Sequence, residues 1–212
     1  MCTFDWENFL RQWSREILES RENFLGELPI EVIDSGWLGY PGATEEQLSH
    51  AEVRLEVTLP PSYRAFLKVT NGWRQTTPFI HRLWSTEEIG WFSRRHQDWI
   101  NAFIDRYLKQ QYPDNSINGW DTPIPPTTDA EYFVYSDTQD CRKLRVDYLQ
   151  TALEISDKGD SAIYLLNPQV ITEDGEWEAW FFGDWLPGAD RYRSFCEMMQ
   201  AEYENFLDLK EI

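Results

Sequence analysis

The sequence is poor in the residues that build metal centres, disulfide scaffolds and membrane spans. Its 212 residues include only three cysteines and three histidines. Cys2, Cys141 and Cys196 form no C-x-x-C pair and have no nearby histidine pattern that would complete a zinc site, so we expect reduced thiols and no metal. No apolar run approaches the roughly 20 residues that span a bilayer. These absences argue against a secreted, disulfide-rich domain and against a membrane protein.

The start of the chain lacks a secretion signal. Residues 1–7 have neither the basic flank nor the apolar stretch that such a signal needs. We therefore expect a cytoplasmic protein without a membrane partner.

Catalytic motifs are missing as well. His50, His81 and His96 are far apart, and the chain contains no H-E-x-x-H, no G-x-S-x-G and no phosphate-binding loop. A histidine that stands alone in this way is more often solvated or hydrogen-bonded in a core than catalytic. We predict no catalytic residues and no cofactor.

Closely spaced carboxylates leave one catalytic alternative open. Asp157 with Asp160, or Glu173 with Glu176, has a spacing that suits the acid and base of a hydrolase. The same acids suit turns and solubility, which is the interpretation we prefer. A non-enzymatic protein is therefore expected, with a carboxylate-dependent hydrolase as a second alternative.

Basic residues are scarce. The chain has 19 Lys and Arg against 37 Asp and Glu, a formal charge of -18. The imbalance is concentrated in residues 111–212, where 21 acids and 7 bases leave a net charge of -14. Such a field repels nucleic acid and attracts basic proteins at rates that fall with salt. The sequence predicts no direct nucleic-acid binding and a basic protein partner.

Aromatic residues, by contrast, are abundant. The 11 Trp, 10 Tyr and 12 Phe are far too many for a disordered chain. Most of these rings must build a core, yet aromatic side chains are also the usual anchors of protein interfaces. We expect a folded protein that keeps some of its rings at the surface.

The first part of the sequence predicts helices in series. Apolar residues at helical spacing indicate an amphipathic helix over 4–23. A short β-rich piece over 30–33 and a Gly-rich turn over 36–43 follow. Thr44-Glu-Glu-Gln47 is a capping box that starts a second helix, and Pro60-Pro61 starts a third that ends at Asn71-Gly72.

The rest of the sequence predicts one long helix, a set of strands and a closing helix. We place the long helix over 93–111 and the closing helix after residue 188, ending near Leu207. Asp- and Gly-rich hairpin loops are expected at 157–160 and 173–176. The predicted strands lie at 79–84, 132–135, 149–155, 162–166 and 177–182. The fold class is therefore α+β, a single domain with an antiparallel or mixed sheet flanked by helices.

The stretch from Trp37 to Gly72 resembles the SUKH superfamily, which includes fungal cell-wall-synthesis regulators of the Smi/Knr type. The shared pattern is a Gly-Ala turn, a helix, Leu-Pro, a Tyr with Phe-Leu and a closing Asn-Gly. The residues that carry it are Trp37, Gly39, Gly42, Ala43, Glu52, Leu59, Pro60, Tyr63, Phe66, Leu67, Asn71 and Gly72. They describe a capped helix, a proline joint and a helix stop, so we expect them to be mainly structural.

The resemblance covers residues from about 30 to 208. It implies one SUKH-like domain over 1–212, with the helix over 4–23 as an addition. Bacterial members of the superfamily are commonly encoded beside polymorphic toxins and protect the producing cell by binding the toxin. The resemblance thus implies an immunity protein, with a regulatory or scaffold module of the cell-wall type as the first alternative.

Acidic loops and tryptophans in the second half suggest where a partner binds. Acids that surround exposed tryptophans make a surface suited to a basic partner. The predicted partner-binding residues are Asp157, Asp160, Glu173, Asp174, Glu176, Trp177, Glu178, Trp180, Asp184 and Trp185. The predicted function is neutralisation of a cognate toxin, with a nuclease fitting best because its nucleic-acid groove is basic.

Overall fold

Local capping signals decide where the first helices begin. The computed structural model describes residues 4–20, 28–111 and 127–210. Helix α1 (Trp6–Glu19) starts at Asp5, whose side chain accepts a hydrogen bond from the Asn8 amide at 3.1 Å. The predicted helix over 4–23 is thus present, and its last three residues lie outside the described residues.

The region predicted as a short β-rich piece over 30–33 is instead a helix, α2 (Ile30–Ser35). Pro29 occupies its N-cap, and Gly36 ends it in the left-handed conformation at φ 65°. Both residues are typical of helix boundaries. The β-branched residues of this piece favour a strand, and these flanking residues override that preference.

The proline joint and its two helices form as predicted. Thr44 and Gln47 make the capping box of α3 (Glu45–Leu55), and Pro61 is the first residue of α4 (Pro61–Val69). After the strands of the first hairpin comes α5 (Phe92–Gln111), which is interrupted by non-helical dihedral angles at His96. A short α6 (Asp129–Tyr132) and a long α7 (Phe195–Lys210) complete the helices of the described residues.

The strands form two antiparallel sheets. Strands β1 (Trp73–Thr77) and β2 (Ile80–Leu83) make a hairpin. A five-stranded sheet has the order β3-β4-β5-β6-β7 and pairs antiparallel throughout. Its strands are β3 (Gly90–Trp91), β4 (Leu153–Glu154), β5 (Ala162–Ile171), β6 (Trp177–Gly183) and β7 (Ala189–Tyr192). The predicted α+β single-domain class with helices around an antiparallel sheet is confirmed.

Some predicted strands are wrong. The run 132–135 ends α6 and then leaves regular structure, because a Thr128 capping box starts a helix just before it. The run 149–155 is split between a 3-10 helix at Val146–Gln150 and the two residues of β4. Strands β1 and β7 were not predicted, because their sequences mix arginine with apolar residues and lack a clear alternation.

The five-stranded sheet is covered by helices on both faces. Along β5, Tyr164 and Leu166 face one apolar cluster with α1, α3, α4 and α7, whereas Ile163 and Leu165 face a second cluster with α5. This alternation follows from the two-residue period of a strand. Since β6 and the first half of β5 are buried on both sides, their sequences are mostly apolar.

Gly42 lies where no side chain fits. A Cβ atom at this position would approach the carbonyl oxygen of Lys68 at 2.0 Å. The neighbouring Ala43 amide donates to the carbonyl oxygen of Leu67 at 2.8 Å, which fixes the loop against α4. A side chain at Gly42 must therefore push two backbone segments apart.

We predict that Gly42→Ala lowers the free energy of unfolding by about 2–3 kcal/mol, because the new methyl group forces backbone apart. Gly36→Ala is the control: nothing lies within 4 Å of its Cβ position, and its φ of 65° alone costs about 1 kcal/mol. Urea unfolding followed by tryptophan fluorescence measures both. Equal losses in the two variants would refute the steric explanation.

Candidate functional site

Three of the predicted partner-binding residues are inside the protein. Trp177, Glu178 and Trp180 lie on β6, and all three are buried. Their prediction as surface residues is wrong, because both faces of β6 are covered by helices. These residues are close to the acidic loops in the sequence. In the fold they lie on a strand with helices on both faces, so their side chains do not reach solvent.

Glu178 is instead the centre of a buried hydrogen-bond network. Its carboxylate accepts from the hydroxyl of Tyr132 at 2.6 Å, from the hydroxyl of Tyr135 at 2.9 Å and from Asn167 Nδ2 at 2.9 Å. Arg191 Nη1 lies 3.4 Å from the same carboxylate and also donates to the carbonyl oxygen of Tyr132. The network ties residues 132–135 to the sheet, since a buried charge requires such partners.

The two predicted acidic loops lie at opposite ends of the β5–β6 hairpin. The loop with Glu173 and Asp174 joins the strands at one end, while the loop at 157–160 precedes β5 at the other. The predicted residues therefore fall into two groups at opposite ends of the sheet. Glu176 has a structural role at the start of α4. Its carboxylate accepts hydrogen bonds from the Ser62 amide at 2.8 Å and from the Ser62 hydroxyl at 2.6 Å.

Asp157 also has a structural role. One carboxylate oxygen accepts from the backbone amides of His81 at 3.2 Å and Arg82 at 3.1 Å, and so joins the 157–160 loop to β2. Burial raises the pKa of this carboxyl group. In each pair of acids considered as a hydrolase site, one member, Asp157 or Glu176, is thus engaged by backbone amides.

What remains of the prediction is a smaller surface, which we call the aromatic–acidic face. It lies at the end of the sheet where β5 begins and β6 ends, and its acids are exposed or partly exposed. It consists of Phe79, Trp99, Lys158, Asp160, Asp184 and Trp185.

Trp185 is the most exposed ring of this face, with 49% of its surface accessible. Its ring centroid lies 5.4 Å from that of Phe79 and 6.2 Å from that of the buried Phe181. An indole supported from below by other rings keeps a defined position at little conformational cost. This is the geometry expected of an interface anchor.

The charges of the face are arranged around Lys158. Its ammonium group lies 4.2 Å from the centre of the Trp99 ring and 3.8 Å from the Asp184 carboxylate. Asp160 is exposed, and no basic side chain pairs with it among the described residues. The face therefore combines aromatic rings with one free and one weakly paired acid.

Sequence reasoning missed Phe79 and Trp99 as members of this face. Phe79 lies in the β1–β2 turn and Trp99 on α5, so both are distant in sequence from the acidic loops. A backbone hydrogen bond joins Phe79 to the acidic loop, since the Asp160 amide donates to its carbonyl oxygen at 2.9 Å. Trp99 meets the same loop through Lys158, which lies over its ring. No local pattern in the sequence carries this information.

The residues of the family-like motif make contacts within the fold. Glu52 accepts from the amide of Leu59 at 3.1 Å and from Arg64 Nε at 3.3 Å, which closes the proline joint. The Asn71 side chain accepts from the amide of Thr86 at 2.8 Å. Five further residues of the motif are buried: Leu59, Pro60, Tyr63, Phe66 and Leu67. Trp37 packs edge-on against Trp73, and Gly39 forms a β-bridge with Trp73. Gly72 has a φ of 103°.

A groove runs beside this motif. Its volume is about 460 Å³, and its walls come from the Gly-rich turn and from the segment after β2. It is lined by Tyr40, Pro41, Gly42, Thr44, Gln47, Asn71, Arg82, Leu83, Ser85 and Glu88. The charges within it are already matched, because Arg82 pairs with Glu88. The groove offers less to a basic partner than the aromatic–acidic face does.

A buried carboxyl group on α7 links the closing helix to the sheet. Glu202 accepts a hydrogen bond from the Tyr164 hydroxyl, which also lies 2.9 Å from the Thr76 hydroxyl. Burial, opposed by the Tyr164 hydrogen bond and aided by the Asp190 carboxylate, raises the pKa of Glu202 to about 7. This group is therefore largely protonated in the folded protein below neutral pH.

The fold defines an α+β protein in which helices surround an antiparallel sheet. The model of the SMI1 / KNR4 family (SUKH-1) matches residues 42–201, and the chain belongs to this family. A search of curated proteins found no match. Membership supports an immunity or regulatory binding role at the level of the family, which is generally non-catalytic.

Neither a membrane-spanning helix nor a metal-binding cluster is found among the described residues. No helix among them combines the length and apolar character that crossing a membrane requires. No group of three or more His, Cys, Asp or Glu side chains among them is placed to hold a metal ion.

We predict that Glu202→Gln stabilises the protein relative to the natural chain as pH rises. The folded pKa, about 7, lies above the ordinary value of 4.5, so the stability that this group supplies is complete below pH 4.5 and is lost as pH rises through 7. Glutamine does not ionise and can still accept from Tyr164. The gain between pH 5 and pH 8 should be about 2 kcal/mol.

Urea midpoints at pH 5, 6.5 and 8 measure this gain. Glu204→Gln is the matched control, because Glu204 is exposed on the same helix. Its curve should run parallel to that of the natural protein. If Glu202→Gln and Glu204→Gln show the same pH dependence of stability, ionisation of the buried Glu202 does not destabilise the folded protein, and the prediction is wrong.

Proposed function

We propose that this protein is an immunity protein that neutralises a cognate toxin by binding it, and that the aromatic–acidic face makes the contact. The observation that carries the proposal is the exposed Trp185, held by rings beneath it and flanked by Asp160 and Asp184. A supported indole with acids at its rim suits a basic protein surface. The partner class is a basic toxin domain, and a nuclease fits best.

The charge distribution supports this partner. The chain carries a formal charge of -18, mostly from its second half. Many acids elsewhere are already paired or buried: Glu178 with Arg191, Glu131 with Lys143 and Glu154 with Arg95. The long-range field attracts a basic protein, and exposed acids such as Asp160 give that attraction a direction.

The proposed mechanism needs no chemistry from the chain itself. A nuclease presents a cationic groove where phosphates bind, and the acids of the face would occupy that groove in their place. Trp185 would slow dissociation, since aromatic anchors act mainly on the lifetime of a complex. Inhibition then follows from exclusion of the substrate.

A regulatory or scaffold role is the alternative, since the family as a whole supports either kind of binding. The two roles differ in what the partner does when it is alone. A toxin harms a host cell unless the chain is present, whereas a partner in a regulatory complex does not. A carboxylate-dependent hydrolase has less support, because one acid of each proposed pair, Asp157 or Glu176, accepts hydrogen bonds from backbone amides.

The proposal predicts that partner capture depends on one end of the sheet. Asp160→Lys with Asp184→Lys should weaken binding at least tenfold at low salt and flatten its salt dependence, because it reverses the charge at the face. Glu173→Lys with Asp174→Lys is the control, since it changes the net charge equally at the opposite end. Its affinity should stay within about threefold of that of the natural chain.

The experiment uses the purified chain as bait in a lysate of the source organism at low salt, with elution by salt and mass spectrometry. The captured protein is then expressed alone and with the chain. A basic protein that is toxic alone and harmless with the chain supports immunity. A harmless partner would point to the scaffold role, and equal losses in both charge variants would remove the aromatic–acidic face from the proposal.

A further inference from the structure

Glu154 is a buried carboxyl group that the proposed function does not use. It lies on β4, paired with Gly90 of β3 and Leu165 of β5, and its side chain has no exposed surface. Its Oε2 atom has no hydrogen-bond partner among the described residues. A buried carboxylate that lacks such partners is costly, and natural proteins rarely keep one without a reason.

Two side chains of α5 face this carboxyl group. Arg95 Nη1 lies 3.3 Å from Oε1, and His96 Nε2 lies 3.4 Å from Oε2. The imidazole is within ion-pair distance of the carboxylate but makes no hydrogen bond to it. His96 is also the residue at which α5 departs from helical dihedral angles, with φ -131° and ψ 35°.

The charges around this pair favour its sharing one proton near neutral pH. Burial raises the pKa of Glu154 to about 7, against the opposing effect of Arg95. Burial, Lys158 and Arg95 together lower the pKa of His96. From β3 and β5, Gly90 and Leu165 add no charge. Burial is thus the main influence on the protonation of the pair, and the charged groups that also act on it are Arg95 and Lys158.

The pair is in contact with the aromatic–acidic face. The His96 ring is 5.8 Å from the Trp99 ring, edge to face, and Lys158 lies over the same indole. The indole N–H of Trp99 is buried and has no hydrogen-bond partner among the described residues. A change in charge on His96 therefore acts on Trp99 directly and on Lys158 through it.

We propose that Glu154 and His96 form a proton-sharing pair that makes the aromatic–acidic face respond to pH near neutrality. At acidic pH the pair gains a second proton and a positive charge, which repels a basic partner. At higher pH it is neutral or negative, which favours such a partner. The inference rests on the proposed function only for this effect on binding, since the shared proton belongs to the protein alone.

Nuclear magnetic resonance of the free protein, with labelled histidine and tryptophan, tests the pair. In the natural chain the His96 resonances should show a step near pH 7, where Glu154 titrates, and Glu154→Gln should abolish this step because glutamine cannot exchange the shared proton. The Trp99 indole resonance should show the same step in the natural chain and lose it in both Glu154→Gln and His96→Gln. His50→Gln, at an exposed histidine of α3, should change neither signal.

A His96 step near pH 7 that persists in Glu154→Gln, or a Trp99 resonance without that step in the natural chain, would overturn the inference. If Glu154→Gln does not fold, the partly exposed His96→Gln still decides, since the Trp99 response must disappear in it. Loss of partner binding with an intact titration would count against the proposed function and not against the pair.

Discussion

Burial of the β5–β6 hairpin on both faces is the constraint from which the rest of the structure follows. One face packs against α1, α3, α4 and α7 and the other against α5, so β6 and residues 162–167 of β5 have no solvent-facing side. Polar groups on these strands must find partners inside, as Glu178 does. The loops at the two ends of the hairpin are where its charged side chains reach solvent, and the proposed binding face lies at one of these ends.

The sequence was informative wherever structure depends on near neighbours. The Thr44 capping box and Pro61 predicted helix starts correctly, because a cap acts over three or four residues. The strands β5 and β6 were found as apolar runs between turn residues. Residues 30–33 were predicted as β structure but form part of α2, because Pro29 and Gly36 are helix-boundary residues whose effect outweighs the β preference between them.

The candidate site was predictable only in part, because it is assembled from distant segments. Asp160, Asp184 and Trp185 were found from charge and aromatic content, but Phe79 and Trp99 were not. The same reasoning wrongly included Trp177, Glu178 and Trp180, since sequence clustering does not show which strand lies between two layers. Separation of the acidic loops follows from the hairpin, whose length places its two loops at opposite ends.

Buried carboxyl groups give this acidic protein a second property. Glu154 and Glu202 both have pKa values raised to about 7 by burial, one beside the proposed face and one between α7 and the sheet. Each favours the folded state more strongly in mild acid than above neutrality. Glu178, also buried, accepts hydrogen bonds from Tyr132, Tyr135 and Asn167 and lies beside Arg191.

The central claim is that partners bind at the end of the sheet that carries Trp185. Amide hydrogen exchange of the chain with and without its captured partner tests this most directly. The account predicts new protection in residues 157–161 and 183–186, with none in the 172–176 loop. Protection at 172–176, or along the groove formed by residues 40–44, would show that the binding face lies elsewhere and would contradict the account.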